Sequence, residues 1–175
     1  MSITLIIGCM SSSKTTTLLG YCKRFEIAHR KVIYVKPCID TRSKYISTHD
    51  NIEKECIIVD KLGDIKKELI DNCDVIGIDE LQFFSDSVEF CDNMANIGKK
   101  VIACGLDSDY MRNPFTNVTN LIAKAETVIK LTAVCDYCGS DAIYSKRKDI
   151  DNKDQILIGG KNLYIACCRK CFNSK

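Results

Sequence analysis

Tryptophan is absent from this sequence, and its 175 residues include only two Pro, two His and nine Gly. Two histidines leave almost no room for chemistry built on several imidazoles. So few Pro and Gly exclude a collagenous or linker-like chain. No apolar run approaches the roughly 20 residues of a membrane-spanning helix. The amino terminus, MSITLIIGCM, has neither a basic n-region nor an apolar stretch of signal-peptide length. The chain is therefore expected to be cytoplasmic, with no membrane partner. Charge of one sign is also missing: 25 Lys+Arg stand against 23 Asp+Glu, a net of +2. Nucleic-acid and membrane surfaces usually show as a clustered basic face, so neither partner is expected. Present instead are 46% hydrophobic and 27% charged residues, enough for a buried core, in one domain or one domain plus a small module.

Cysteine is in surplus, at 12 residues. Without a secretion signal, these read as reduced thiols rather than a disulfide framework. Cys22, Cys38, Cys56, Cys73, Cys91 and Cys104 lie singly among apolar neighbours, where a thiol packs as a small hydrophobe. Cys135 and Cys138 (CDYC), with Cys168 and Cys171 (CRKC), form two CxxC pairs. Two such pairs supply the four thiolates of a tetrahedral zinc site; a redox dithiol is the alternative. Cys167 adjoins the second pair but does not complete its spacing.

Up to residue 130, strand-length apolar runs alternate with amphipathic segments. The runs are Ile3–Ile7, Val32–Val35, Cys56–Val59, Val75–Ile78 and Val101–Cys104. Helices are expected at Thr15–Ala28, Asp64–Asn72 and Asp86–Ile97, the last stopped by Gly98. Runs apolar on both faces suit a mostly parallel sheet covered by helices on both sides, an α/β fold of P-loop NTPase type. Ligands of such sheets bind at the carboxyl ends of the strands. Residues 131–175 form a second unit without a good helix. Residues 130–175 carry nine Lys/Arg against five Asp/Glu, so +4 of the total +2, leaving −2 for residues 1–129. A unit that small is expected to be stapled by metal.

Gly8-Cys9-Met10-Ser11-Ser12-Ser13-Lys14-Thr15 follows the first strand and opens the first helix. It fits the GxxxxGK[ST] phosphate loop except that Ser13 stands at the second glycine. Backbone amides and the helix amino end would bind phosphate, with Lys14 on the β/γ oxygens of ATP and Thr15 towards Mg²⁺. A positive φ at Ser13 would cost about 1 to 2 kcal/mol relative to glycine. Asp79 and Glu80 close the buried run Val75–Ile78, the place of a Walker-B carboxylate. Asp79 suits hydrated Mg²⁺, which leaves Glu80 as a general base. The loop Gly105–Phe115 follows the next strand. Tyr110, Phe115, Phe83, Phe84 and Met10 either present faces to a flat ring or belong to the core.

In order, IIGCMSSSKTTTLL, VIGIDELQFF, GLDSDYMRNPF, VIKLTAVCDYC, SKR, IGG and CRKC resemble the motifs of the type II, zinc-containing thymidine kinases of cells and large DNA viruses, over nearly the whole chain. The length is closest to the short viral members. The resemblance implies ATP-dependent phosphorylation of the 5′-hydroxyl of thymidine, and sometimes deoxyuridine, in nucleotide salvage. It also implies a cytoplasmic homotetramer or homodimer that needs Mg²⁺ and structural Zn²⁺. By the resemblance, Gly8 to Thr15 bind ATP, Glu80 is the base and Asp79 the Mg²⁺-side carboxylate. Met10, Phe83, Leu106, Tyr110, Phe115 and Tyr164 would surround the thymine. Gln155, Ile156, Leu157, Ile158 and Gly159 would form a lasso over the nucleoside, anchored by zinc on Cys135, Cys138, Cys168 and Cys171. Asp40, Arg42 and Arg147 would lie near the transferred phosphate.

Three residues depart from the family pattern: Ser13 replaces glycine, Cys9 replaces proline, and Leu81 replaces a small residue after the base. Leu81 turns either into the nucleoside pocket or into the core. A non-catalytic nucleotide binder and a zinc-ribbon, nucleic-acid-dependent ATPase remain as alternatives.

Overall fold

The computed structural model describes residues 1–40, 44–48, 52–148, 159 and 162–174. In chain order the elements are β1 (Ser2–Gly8), α1 (Lys14–Ile27), β2 (Val32–Pro37), β3 (Ile46–Ser47), β4 (Glu53–Lys54), β5 (Ile57–Val59) and α2 (Lys67–Asp71). There follow β6 (Val75–Ile78), α3 (Ser87–Asn96), β7 (Lys100–Gly105), α4 (Thr116–Ile122) and β8 (Thr127–Leu131). The chain ends with β9 (Ala133–Val134), β10 (Asp141–Ala142), β11 (Tyr144–Arg147), β12 (Tyr164–Cys167) and α5 (Arg169–Ser174).

Six strands form one sheet in the order β5-β2-β6-β7-β1-β8, with every pairing parallel. Parallel strands need both faces covered, and the side chains alternate accordingly. On one face Ile3, Leu5, Ile7, Ile76, Ile78, Val101 and Ala103 pack with Cys91 and Ala95 of α3 and Val118 and Leu121 of α4. On the other face Ile6, Val75, Ile102 and Cys104 pack with Leu18, Leu19 and Cys22 of α1. Each fully buried Ile or Leu contributes about 1.5 to 3 kcal/mol of apolar transfer. Gly77 lets α1 lie directly on β6, since a Cβ there would be 2.9 Å from Cys22 Sγ and 3.1 Å from Tyr34 Cδ1.

The expected strands and the first and third helices form within one or two residues of their sequence limits. Gly98, at φ 96°, ends α3 as read. The helix expected over Asp64–Asn72 does not form whole. A 3-10 turn at Leu62–Asp64 precedes the short α2, with Ile65 extended between them and buried. The cause is tertiary, because the Asp86 carboxylate accepts from the amides of Leu62 (3.2 Å) and Gly63 (2.9 Å) and pins the earlier turn. β8 and α4 were not expected, and the second unit does hold one helix, α5. Cys22, Cys73, Cys91 and Cys104 are buried as read, whereas Cys56 is half-buried and Cys38 is exposed beside the Asp60 carboxylate. Among the described residues no helix is long and apolar enough to cross a membrane.

Candidate active site and metal centre

β1, β2, β6 and β7 run in parallel, so Gly8, Lys36, Asp79 and Cys104 all reach the same carboxyl edge of the sheet. A cavity of about 290 Å³ opens there, lined by residues 10–16 and 45–48 with Lys36, Asp40, Asp79 and Glu80. Asp40 and Lys36, both among its lining residues, are buried and paired at 3.1 Å.

The loop between β1 and α1 is closed on itself. Lys14 Nζ and Ser12 Oγ both donate to the Cys9 carbonyl, at 2.7 and 2.8 Å. Ser13 caps α1 at φ 59° and ψ 28°, in the left-handed region, and Ser11 is also there at φ 63°. The strain foreseen at Ser13 is therefore real. Ser13→Gly is expected to stabilise the protein by about 1 kcal/mol, or roughly 2 to 4 °C in Tm, and to keep or raise ATP affinity. Calorimetry and nucleotide titration check this.

Asp79 is buried and accepts from Thr15 Oγ1 (3.2 and 3.3 Å to its two oxygens), Cys104 Sγ (2.9 Å) and the Glu80 amide (3.0 Å). Burial, and then the neighbouring Glu80 charge, push its carboxyl up to about 6 from an ordinary 3.8. Two adjacent acids at the end of an apolar strand thus carry a charge cost that a cation would relieve. Ionised Asp79 is less favourable in the folded chain than in the unfolded one. Its contribution to stability is full below pH 4 and is lost as pH rises to about 6. Asp79→Asn should therefore raise Tm by roughly 2 to 4 °C at pH 7.5 in Mg²⁺-free buffer. The gain should vanish near pH 4, which melting curves at both pH values would test.

Glu80 caps a 3-10 turn, Leu81–Phe83, in the left-handed region at φ 53°. A non-glycine residue held there stores roughly 1 kcal/mol or more of strain, a usual mark of a site residue. Its Oε2 accepts from Gln82 Nε2 at 2.6 Å. Leu81 is fully buried in the core of the α3 face, so it turns away from the cavity.

The aromatic candidates divide. Phe84 is fully buried and Phe115, which caps α4, is 9% exposed; both join the α3-face core, with Leu106 packed against it. Phe83, at the end of the Leu81–Phe83 turn, is half-buried. Tyr110 and Tyr164 instead meet around Arg147, which is not among the cavity-lining residues. The guanidinium lies 3.8 Å from the Tyr110 ring centroid, 5.4 Å from that of Tyr164, and donates to the Tyr164 hydroxyl at 2.9 Å. Arg42 and Gln155 to Ile158 lie outside the described residues.

Cys135, Cys138, Cys168 and Cys171 bring their sulfurs within 4.8 Å of one another. Tetrahedral Zn²⁺ with bonds of about 2.3 Å sets its sulfurs about 3.8 Å apart, and Cys138 and Cys168 are already at 3.6 Å. The Cys135 thiol is drawn down to about 6, first by the Cys168 amide and against a smaller desolvation cost, whereas Cys171 is pushed up to about 12 beside Cys138. Four thiols so placed cannot all ionise without a cation, and the donor set fits zinc. Cys167 faces the core of this unit. Asp136 ties the first knuckle to β12, donating its amide to Ala166 O (3.0 Å) and accepting the Ala166 amide (2.6 Å).

This unit also holds the phosphate loop. Cys9 is buried among Ala133, Cys135, Ala142, Ala166, Cys167 and Cys168, and its thiol donates to the Ala142 carbonyl at 3.3 Å. The Met10 amide donates to Ser145 Oγ at 2.9 Å. Cysteine at position 9 is thus a contact with the metal unit.

Sequence reasoning overlooked Lys36, Tyr45, Thr48, Gln82 and Ser145. A lysine closing the apolar run Val32–Val35 was the one available signal, since a cation at the ligand edge of a parallel sheet has few other reasons to be there.

A sequence profile described as thymidine kinase matches residues 1–172. "Thymidine kinase 1" of Dictyostelium discoideum is 43% identical, covering 98% of this chain and 78% of that protein. The thymidine kinase of Amsacta moorei entomopoxvirus is 43% identical over 99% of both chains. That of vaccinia virus, strain Ankara, is 45% identical over 97% of this chain and 96% of its own. With that profile spanning a phosphate loop, a buried strand ending in Asp79-Glu80 and a four-cysteine centre, the chain belongs to the thymidine kinase family.

Proposed function

We propose that the protein transfers the γ-phosphate of ATP to the 5′-hydroxyl of thymidine. The observation that carries this reading is the convergence of Lys14, Thr15, Asp79 and Glu80 on one cavity at the carboxyl edge of the sheet. Phosphoryl transfer asks little covalent chemistry of a protein, so positioning and electrostatics dominate. The amides of residues 10–15 and the amino end of α1 cradle the phosphates. Lys14 leaves the Cys9 carbonyl and neutralises the β/γ oxygens. Thr15 and Asp79 would hold Mg²⁺, which would offset the charge of the phosphate oxygens. Glu80 accepts the 5′-hydroxyl proton as the oxygen attacks.

Met10, Phe83, Leu106, Tyr110, Phe115 and Tyr164 belong to the nucleoside side of this reading. Arg147, against two of those rings, orients them, and its place near the transferred phosphate is part of the same reading. Asp40 lines the cavity with its charge paired to Lys36. Gln155 to Gly159 would close over the base from the zinc unit. The division into a phosphate-binding unit (1–130) and a zinc unit (131–175) is part of the proposal, as are cytoplasmic residence and a homotetramer or homodimer. A non-catalytic binder is disfavoured because Leu81 turns into the core and Lys14, Thr15, Asp79 and Glu80 are all retained.

The test is consumption of Mg²⁺·ATP with thymidine, deoxyuridine, deoxycytidine or no nucleoside, each with and without added DNA. Stimulation by thymidine supports the kinase. Stimulation by DNA alone would replace it with a nucleic-acid-dependent ATPase, and binding without turnover would replace it with a nucleotide sensor.

A further inference from the structure

Gln82 is the most constrained polar side chain beside Glu80. It is 6% exposed, with both ends of its amide engaged. Its Oε1 accepts the Leu106 amide at 3.0 Å, and its Nε2 donates to Glu80 Oε2 at 2.6 Å. The orientation is forced by the chemistry of the partners. A backbone N–H can only donate, so the oxygen of the side-chain amide must face Leu106. The nitrogen is then aimed at Glu80, whose carboxylate can only accept. A β7 that ended one residue earlier, or turned differently, would reverse or remove this aim.

Two further features exist around the same side chain. Gly105 leaves the space it occupies, because a Cβ there would lie 2.8 Å from Gln82 Oε1 and 3.2 Å from Leu81 Cβ. Asn117, on α4, holds the backbone of the turn independently. Its Nδ2 lies 3.1, 3.3 and 2.9 Å from the carbonyls of Leu81, Gln82 and Phe84. The turn is therefore fastened without the Gln82 side chain, which leaves that side chain with the carboxylate as its business. Glu80 itself sits in the left-handed region, where its backbone does not by itself fix where the carboxylate points.

We infer that Gln82 is a positioning residue: it fixes the carboxylate of Glu80 in the direction of the substrate hydroxyl and links that direction to the end of β7. The inference rests on the kinase reading above. Leu106 begins the loop that carries Tyr110, so the end of β7 sets the base. Holding Glu80 Oε2 against Gln82 sets the direction in which the carboxylate meets the attacking hydroxyl.

Gln82→Met keeps the volume and removes both hydrogen bonds; Gln82→Glu keeps an acceptor for Leu106 but loses the donor to Glu80. Both are expected to lower kcat about 10- to 100-fold, with KM for ATP and thymidine changed less than about threefold. Gln82→Met near wild type in kcat, with only Gln82→Glu impaired by the charge it adds beside Glu80, overturns the inference. The decisive comparison is a cycle with Glu80→Gln. If Gln82 acts through Glu80, adding Gln82→Met to Glu80→Gln costs less than about twofold more. An equal cost in both backgrounds, or an effect on KM alone, contradicts it. Wild-type protein without thymidine-dependent turnover would overturn the kinase reading and this inference together, whereas an active wild type with an equally active Gln82→Met overturns this inference alone.

Discussion

Glu80→Gln is expected to lower kcat for thymidine phosphorylation by roughly 10² or more while leaving ATP binding close to wild type. The substitution is nearly isosteric, and its oxygen can still accept from Gln82 Nε2, the contact made by Glu80 Oε2 at 2.6 Å. What it removes is the ability to take a proton. The loss should fall on kcat, because the hydroxyl becomes a better nucleophile only as the transition state is approached. In the proposed function phosphate binding falls to residues 10–15 and the end of α1, which the change does not touch. A variant with wild-type kcat would remove Glu80 from its role. A variant that lost ATP affinity instead would assign Glu80 to nucleotide binding.

Cys168→Ser is expected to reduce bound zinc from about one per chain to near zero, and to abolish phosphorylation although no cysteine touches the substrate. The reason is the packing of Cys9. That residue is 1% exposed, lies among side chains of the zinc unit, and donates its thiol to the Ala142 carbonyl. The Met10 amide is held by Ser145 from the same unit. Without metal, β9 to β12 have too little apolar surface to hold together. The phosphate loop then loses one of its walls. Metal analysis, limited proteolysis and ATP affinity of the variant should all change together. Full ATP affinity in a zinc-free variant would show that the loop stands alone, against the coupling argued from Cys9 and Met10. Chelation of wild-type protein should reproduce the variant, and restored zinc should restore the chelated protein.

Much of this architecture was legible in the sequence because it rests on local signals. Continuous apolar runs gave the buried parallel strands, and Gly8 to Thr15 gave the strand-loop-helix at the head of the cavity. What escaped depends on residues distant in sequence. The segment Thr116–Ile122 (TNVTNLI) is built of β-branched residues and asparagine, poor helix formers; it becomes α4 because Val118 and Leu121 find the core and Asn117 reaches the turn after Glu80. β8 is an edge strand with three of its five residues exposed, so it lacks the continuous apolar pattern of the others. The continuous helix expected over Asp64–Asn72 is interrupted at Ile65, extended and buried, after a turn that Asp86, some 20 residues on, pins through the Leu62 and Gly63 amides.

The site follows the same division. Lys14, Thr15, Asp79 and Glu80 were readable because each follows a strand in a recognisable pattern. Gln82 stands among aromatics in LQFF, with no local pattern to mark it, and its purpose depends on Leu106, 24 residues later. Cys104 read as packing, and it is packed, but its thiol also donates to Asp79. Arg147, expected beside phosphate, lies against two tyrosine rings that only the fold brings together.

The central claim is that phosphate passes from ATP to the 5′-oxygen of thymidine. The most direct measurement follows γ-labelled ATP in the presence of Mg²⁺ with thymidine and, separately, with 5′-deoxythymidine, which keeps the base and the 3′-hydroxyl but lacks the acceptor oxygen. Label appearing in thymidine 5′-monophosphate and in no product of the 5′-deoxy compound is the predicted result. Label released only as inorganic phosphate, or transferred equally to both nucleosides, would contradict it.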